Sequence, residues 1–202
     1  RFSLEVLSIQ SVYYRVKENA NVEFVQVDLG GRENYVSYIG DLVDNNSNVN
    51  VNSIYFGKNE QKLDFNYVAT QRGRSTNYDL AIKGALADRA QKTCKVTIDF
   101  KRGSSTSKGS EEEYVTLLSD DIKNVAVPIL LCTEDDVEGI HAASAGKIDE
   151  NILFYIMSRG FSESEAKRLI LESKFAETID LIQNEEIRKR VYTTLSKKLS
   201  EV

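Results

Sequence analysis

Apolar and polar residues alternate along most of the first 132 positions, as in Val25-Gln26-Val27-Asp28-Leu29. Alternation with a period of two sends successive side chains to opposite faces of an extended chain, so it predicts strands with one buried face. The pattern predicts strands from Phe2 to Val12, Val22 to Leu29, Asn34 to Leu42, Val49 to Phe56, Leu63 to Thr70, Tyr78 to Leu86, Thr93 to Phe100, Tyr114 to Leu118 and Val125 to Cys132. Between them lie Gly30-Gly31, Asp44-Asn45-Asn46-Ser47-Asn48, Gly57-Lys58-Asn59-Glu60, Arg72-Gly73-Arg74-Ser75 and Ser104-Ser105-Thr106-Ser107-Lys108-Gly109. These stretches are polar and rich in residues that tolerate turn geometry.

Beyond residue 147 the apolar spacing becomes three and four, the period of a helix. Asp149 is predicted to cap a helix through Ile152, Leu153, Tyr155, Ile156 and Met157, ended by Arg159-Gly160 with the glycine left-handed. Ser162 and Glu165 form a capping box for a second helix, with Phe161 and Ala166 as its hydrophobic staple and Leu169, Ile170 and Phe175 on its apolar stripe. In a third, Glu185 faces Lys189, Glu186 faces Arg190, and Ile187, Val191, Leu195 and Leu199 make a narrow apolar face, able to pack on the other helices or meet a partner.

The stretch from Thr133 to Gly160 joins the two regimes, which gives a β domain of residues 1–146 and a helical domain of residues 147–202. No helix fits between successive strands, which argues against a doubly wound α/β fold. Periodicity alone leaves a sandwich, a barrel and a solenoid open. The lack of a strict repeat counts against a regular solenoid, while the lack of Asn-Gly and Asp-Gly turns favours an irregular β-helix over a meander of hairpins.

With 202 residues, 41% hydrophobic and 28% charged, the chain can hold one large or two modest globular domains. A net charge of -5 argues against nucleic acid or an anionic membrane as partner, since both require a positive surface. No apolar run reaches the roughly 20 residues of a membrane span, and no apolar segment of a secretory signal follows Arg1. A start other than Met leads us to expect a fragment or a processed chain. Cys94 and Cys132 lack metal-ligand spacing and His141 is the only histidine, so we expect a reduced, cytoplasmic protein without a zinc site.

Several segments nevertheless follow one another in a specific order: Lys83-Gly84-Ala85-Leu86, Leu117-Leu118-Ser119, Pro128-Ile129-Leu130, Asp135-Asp136-Val137, His141-Ala142-Ala143 and Leu153-Phe154-Tyr155-Ile156-Met157-Ser158-Arg159-Gly160. From about Tyr78 to Phe175 this order resembles the SufB/SufD family, the scaffold of the SUF iron-sulfur cluster assembly system. The resemblance implies a right-handed parallel β-helix followed by a small helical domain. It further implies that strands near the end of the β-helix pair with SufB or a second SufB/SufD-type subunit, a homodimer included. The helical domain, with Phe154, Tyr155, Arg159 and Gly160, would dock the ATPase SufC, whose ATP-driven dimerisation would distort the scaffold and expose its interface.

By the same resemblance His141 matches the histidine that SufD-type subunits place at the subunit interface, where a neutral imidazole can ligate iron or shuttle a proton. SufB-type subunits carry a cysteine near where Tyr114 falls and a glutamate close to the junction strands. Here Glu111-Glu112-Glu113-Tyr114-Val115 has no cysteine and no glutamate lies between His141 and Asp149, so the chain looks SufD-like. Family members often read Cys-Ser-His-Gly-Ala at the junction, whereas this chain reads Gly139-Ile140-His141-Ala142-Ala143, which leaves Cys132 as the one cysteine that could face the interface and hold metal. The expectation is a scaffold, not an enzyme, with no stably bound cofactor and only a transient cluster or iron in the complex.

Read without the resemblance, the same residues have plainer roles. His141 is a hydrogen-bonded structural histidine, and Cys132 and Cys94 are small buried hydrophobes. Glu134-Asp135-Asp136-Val137-Glu138 is a solvated turn without the glycine pivot of an EF-hand, and Arg72-Gly73-Arg74 is a charged turn. Phe154-Tyr155 is expected to pack the first helix on the β domain. The functional alternative is a secreted-type carbohydrate-active enzyme on a β-helix, using Asp135 and Asp136 with an arginine.

Overall fold

The computed structural model describes residues 6–200. Ten strands, β1 (Leu7–Val16), β2 (Asn21–Asp28), β3 (Glu33–Leu42), β4 (Asn48–Gly57), β5 (Lys62–Gln71), β6 (Asn77–Leu86), β7 (Gln91–Phe100), β8 (Ser107–Leu117), β9 (Lys123–Cys132) and β10 (Val137–Gly146), wind into a β-solenoid. The odd strands form one five-stranded sheet, β1-β3-β5-β7-β9, and the even strands the other, β10-β8-β6-β4-β2, so each turn contributes one strand to each sheet. All eight pairings are parallel. Of the three folds left open by periodicity, the solenoid is the one adopted.

The turns repeat, at a spacing that varies. Leu7 pairs with Glu33, Glu33 with Lys62, Lys62 with Gln91 and Gln91 with Lys123, which are steps of 26, 29, 29 and 32 residues. Corners of unequal length absorb the difference, which is why no strict period is visible in the sequence. The corners themselves stack. Asn19, Asn46, Ser75 and Thr106 take φ of 58, 55, 53 and 62° at successive turns on one side, and Asn59 and Asp88 take 58 and 59° on the other. Short polar side chains tolerate this left-handed conformation and hydrogen-bond locally. Asn46 N donates to Arg74 O, Ser75 N to Ser105 O and Thr106 N to Asp136 O, so the ladder continues around the bend. Asn46 Nδ2 donates to Asn19 Oδ1 at 3.2 Å, and the Ser75 and Thr106 hydroxyls are 2.7 Å apart.

Inside the solenoid the inward rows form one core that includes Val51, Tyr55, Phe65, Tyr67, Leu80, Val96 and Ile98. Aromatic rings step along it: Phe24 lies 5.4 Å from Tyr38, Tyr38 5.8 Å from Tyr67, and Tyr55 5.1 Å from Phe65, distances typical of favourable ring pairs. Two of the rings rest on glycines of the next turn. Tyr14 is in register with Gly40 and Tyr55 with Gly84, and a Cβ built on Gly84 would sit 2.0 Å from Tyr55 Cζ. The aromatic ring covers backbone that a glycine would leave bare.

Three helices follow: α1 (Glu150–Met157), α2 (Glu163–Asp180) and α3 (Glu185–Leu199). Asp149 caps α1, Ser162 and Glu165 form the capping box of α2, and Gly160 takes φ 100°, as the sequence predicts. Helices α2 and α3 bury Leu171, Phe175, Ile179, Leu195 and Leu199 against Ile54, Phe56 and Ala85, which point outward from the even-strand sheet. Each such side chain contributes about 2 kcal/mol relative to exposure. The narrow stripe of α3 is therefore spent mostly within the protein, except for exposed Ile187.

Three boundaries differ from the sequence reading. The first described strand runs Leu7–Val16, and Phe2 to Glu5 lie outside the described residues. Strand β8 starts at Ser107, seven residues before Tyr114, because its inward positions include Gly109, Glu111 and Glu113, which do not read as apolar. Strand β10 lies inside the stretch we took as a junction; Gly139, Ala142, Ala143, Ala145 and Gly146 have low strand propensity, and the ladder to β8 holds them extended.

The ring-on-glycine contact gives a direct test. Gly84→Ala should cost about 3 kcal/mol in urea unfolding, as overpacking against a buried ring does, while Gly146→Ala, whose added Cβ meets nothing within 4 Å, should be nearly neutral. Equal costs for the two would show that the Tyr55 ring moves aside freely.

Candidate functional site

Strands β9 and β10 are the last members of their sheets, so each leaves one edge without a partner strand. Such an edge presents unpaired N–H and C=O groups. Register fixes which side chains face the solenoid axis there. Cys94, Val96, Ile98 and Phe100 of β7 are buried, so their partners Ala126, Pro128, Leu130 and Cys132 point along the same inward row. Buried Glu111, Glu113 and Val115 of β8 likewise put His141, Ala143 and Ala145 inward on β10. Leu130, Cys132, His141 and Ala143 are nevertheless exposed, because no further turn covers them. Outward Val127, Leu131 and Ile140 add to an apolar rim. Pro128 lies on an edge strand, the place in a sheet where a residue without an N–H is tolerated.

His141 therefore stands at the open end of the axis, directly above Glu111 in register. Cys132 is exposed, which corrects its reading as a buried hydrophobe; the sequence Ile129-Leu130-Leu131-Cys132 carries a core pattern, but its next layer is missing. Cys94 is buried, and burial pushes its thiol pKa well up. Gly139 faces Leu130 across the axis, so Cys132 and His141 lie on opposite sides of that contact, about 13 Å apart along the strands. The two sequence candidates are on one surface without sharing a site. Among the described residues no group of three or more His, Cys, Asp or Glu side chains is placed to hold a metal ion.

Below the open end lies a group of charges that sequence reasoning passed over. Lys92 Nζ contacts Glu113 Oε1 at 2.5 Å, with side chains 0% and 1% exposed, and also donates to Val125 O at 3.3 Å. Glu111, two residues along the same inward row, is buried as well. Burial first, and then the like charge of Glu113, push its carboxyl up to about 7 against the opposing pull of Lys92. The available signal was the run Glu111-Glu112-Glu113, in which alternation must send at least one carboxylate inward; the structure buries Glu111 and Glu113.

The second candidate surface is α1. Asp149 Oδ1 accepts from Asn151 N at 2.8 Å and Ile152 N at 3.3 Å, and no residue of the helix is buried. Phe154 is 73% and Tyr155 58% exposed, and Ile152, Met157 and Phe161 are exposed with them. This overturns the expectation that Phe154-Tyr155 pack on the β domain. Arg159 instead closes back on Tyr155, its Cζ 4.9 Å from the ring centroid and its Nη2 donating to the hydroxyl at 2.7 Å. The acidic turn behaves as read. Glu134 accepts from Gly103 N and Asp136 from Ser105 Oγ, each at 2.8 Å, tying this corner to the one below.

A two-sheet parallel solenoid with an open last turn and a short run of helices packed on one sheet defines the class of protein. Residues 1–174 match the family described as SUF system FeS cluster assembly, SufBD core domain. The chain is 29% identical over 147 residues to the iron-sulfur cluster assembly protein SufD of Bacillus subtilis, covering 73% of this chain and 34% of that protein. It is 30% identical over 165 residues to a SufBD family protein of Pyrococcus horikoshii (78% and 35%), and 26% identical over 203 residues to one of Mycobacterium bovis (96% and 51%). The chain belongs to the SufB/SufD family of the SUF iron-sulfur cluster assembly system. It spans about a third to a half of the length of these relatives.

The buried carboxylate makes a pH prediction. Glu111 has its folded pKa raised from 4.5 to about 7, so the folded state binds the extra proton and stability falls as pH rises through that window, then levels off. Asp28, raised to about 6 mainly by burial, adds a slope of the same sign at the lower end. Glu111→Gln should remove the decline between about pH 6 and 7 in thermal melts and lessen it between about pH 4.5 and 6, where the share of Asp28 remains. An unchanged profile would mean that Glu111 ionises freely in the folded protein.

Proposed function

We propose that this chain is a SufD-like scaffold subunit that takes no catalytic part itself, pairs with SufB or a second SufB/SufD-type subunit through its open end, and docks the ATPase SufC through α1. The observation that carries the reading is the exposed inward row of β9 and β10, with His141 on it, at the end of the solenoid that leads into the helices. A partner strand added to these edges satisfies their backbone groups, and a second open end set against this one covers Leu130, Ile140 and the small residues of β10. Of the two edges β10 is the better template, since Pro128 interrupts the donors of β9.

In that pairing His141 becomes an interfacial imidazole. Among the described residues no group of companion ligands surrounds it, so iron or a nascent cluster, as cargo, would draw the remaining ligands from the partner. Cys132 is the nearest thiol to the interface, displaced from His141 along the strands. The exposed apolar side of α1, with the Tyr155–Arg159 pair beside it, supports the helical surface as the place for SufC. No helix among the described residues is long and apolar enough to cross a membrane; a cytoplasmic location for the complex is part of the same proposal. The carbohydrate-active alternative has little support: Asp136 is engaged by Ser105, and no arginine among the described residues pairs with Asp135 or Asp136.

Two experiments separate the parts of this proposal. The chain should capture SufC from a lysate of its host, and Phe154→Ser combined with Tyr155→Ser should lose that capture with little change in thermal midpoint, because both side chains are exposed. Retained capture would move the docking surface elsewhere. His141→Ala should fold and bind SufC normally yet fail to support cluster assembly in a strain lacking the native subunit. Full complementation by that variant would return His141 to a structural role.

A further inference from the structure

The chain carries a net charge of -5, yet one groove gathers cations. It lies between the outer face of the even-strand sheet and α2, with a volume of about 470 Å³, within the range of pockets that hold small organic ligands. Register builds its floor. Lys83, Tyr114 and Ser144 stand side by side on β6, β8 and β10, and Thr116 and Gly146 form the next row. Helix α2 supplies the wall with Ser173, Lys174 and Glu177, and Lys147 stands at the end of β10.

The three lysines differ in how they are satisfied. Lys83 contacts Glu177 at 2.5 Å and Lys147 contacts Asp120 at 2.7 Å, but these carboxylates are 82% and 84% exposed. The Lys147–Asp120 pair is exposed on both sides and weakly held, and in the other pair the carboxylate of Glu177 stands in water although Lys83 is half-buried. Lys174 has no carboxylate partner among the described residues. Its Nζ donates to Thr116 Oγ1 at 2.9 Å, and partial burial pulls its pKa down. A partly desolvated ammonium without a counter-ion gains from an incoming anion more than an exposed one does. The Thr116 hydroxyl, accepting from Lys174, keeps its own proton to donate. Gly146 leaves the groove open, since a Cβ there would meet nothing within 4 Å. Tyr114, half exposed, offers a flat ring for the rest of a ligand.

We propose that this groove binds a phosphorylated small molecule, with Lys174 and Thr116 holding the phosphate, Lys83 and Lys147 completing its charge, and Tyr114 flanking the organic part. A tetrahedral dianion carries twice the charge of a carboxylate and more acceptor oxygens to share among several ammonium groups, and the volume exceeds that of a phosphate ion alone. The site lies on the outer face of β6, β8 and β10, away from the inward row that carries His141, so it is independent of the scaffold reading.

Calorimetric titration of the 202-residue chain at low salt tests it, with inorganic phosphate and adenosine monophosphate as probes. Inorganic phosphate should bind with Kd of about 1 mM and the monophosphate ester more tightly. Lys174→Met should weaken both by about tenfold, as loss of a charge-assisted bond does. Gly146→Glu, which places a carboxylate in the open part of the groove, should abolish binding without lowering the thermal midpoint. Absence of binding by either probe up to about 10 mM overturns the proposal. So does binding that neither variant alters, and so does phosphate binding with no gain for the ester.

Discussion

A parallel ladder wound into a solenoid makes every turn the template for the next. Backbone hydrogen bonds fix the register, and because side chains alternate, a slip of one residue would turn each inward row outward and each polar row inward. Two devices hold the register here. Left-handed Asn, Ser, Thr and Asp residues stack at the corners and pass hydrogen bonds from turn to turn, while tyrosine rings seat on glycines one turn away. The same ladder cannot finish itself. In the middle of each sheet every strand has two neighbours, whereas among the described strands β1 and β2 at one end and β9 and β10 at the other have one, so the arrangement that makes the middle stable leaves β9 and β10 with unpaired backbone and wet core positions.

The interior changes character as that end approaches. Around β4 and β5 the inward rows hold Tyr55, Phe65 and Tyr67, whereas β7 and β8 bring in Lys92, Glu111 and Glu113. A buried ion pair is rarely more stabilising than apolar side chains of the same volume, since both charges must be desolvated. The pair is tolerated through its short contact and the extra bond to Val125 O, and Glu111 is tolerated by holding its proton near neutral pH. The last turns are thus held together by groups whose state depends on proton and charge balance. An interface built on them inherits that sensitivity.

Much of this was legible along the chain and some was not, for physical reasons. Alternation marked nine strands, and the caps Asp149, Ser162 and Glu165 marked two helix starts, because these signals are local. Strand β10 was invisible because its glycines and alanines carry no strand preference of their own and are held by β8. The solenoid could not be told from a sandwich because its repeat drifts between 26 and 32 residues, so the family resemblance, and not the period, pointed to it. Cys132 and Phe154-Tyr155 were assigned to the interior since their flanking residues are apolar. Whether an apolar segment is covered depends on what lies beyond it in space, and there nothing follows. Glu111 beneath His141 needed the register, which no local pattern supplies.

The helices connect the two exposed surfaces. Only residues Lys147 to Asp149 separate β10 from α1, and Asp149 is itself held to the first turn of the helix as its cap. Beyond α1, helices α2 and α3 are anchored on Ile54, Phe56 and Ala85 of the even-strand sheet, so α1 is the one helix not fixed by buried side chains. A partner that grips α1 would therefore pull on β10 through a link of three residues, while the anchored helices stay packed on the even-strand sheet. In the proposed complex this three-residue link is the most direct covalent path from the helical surface to the strand that carries His141.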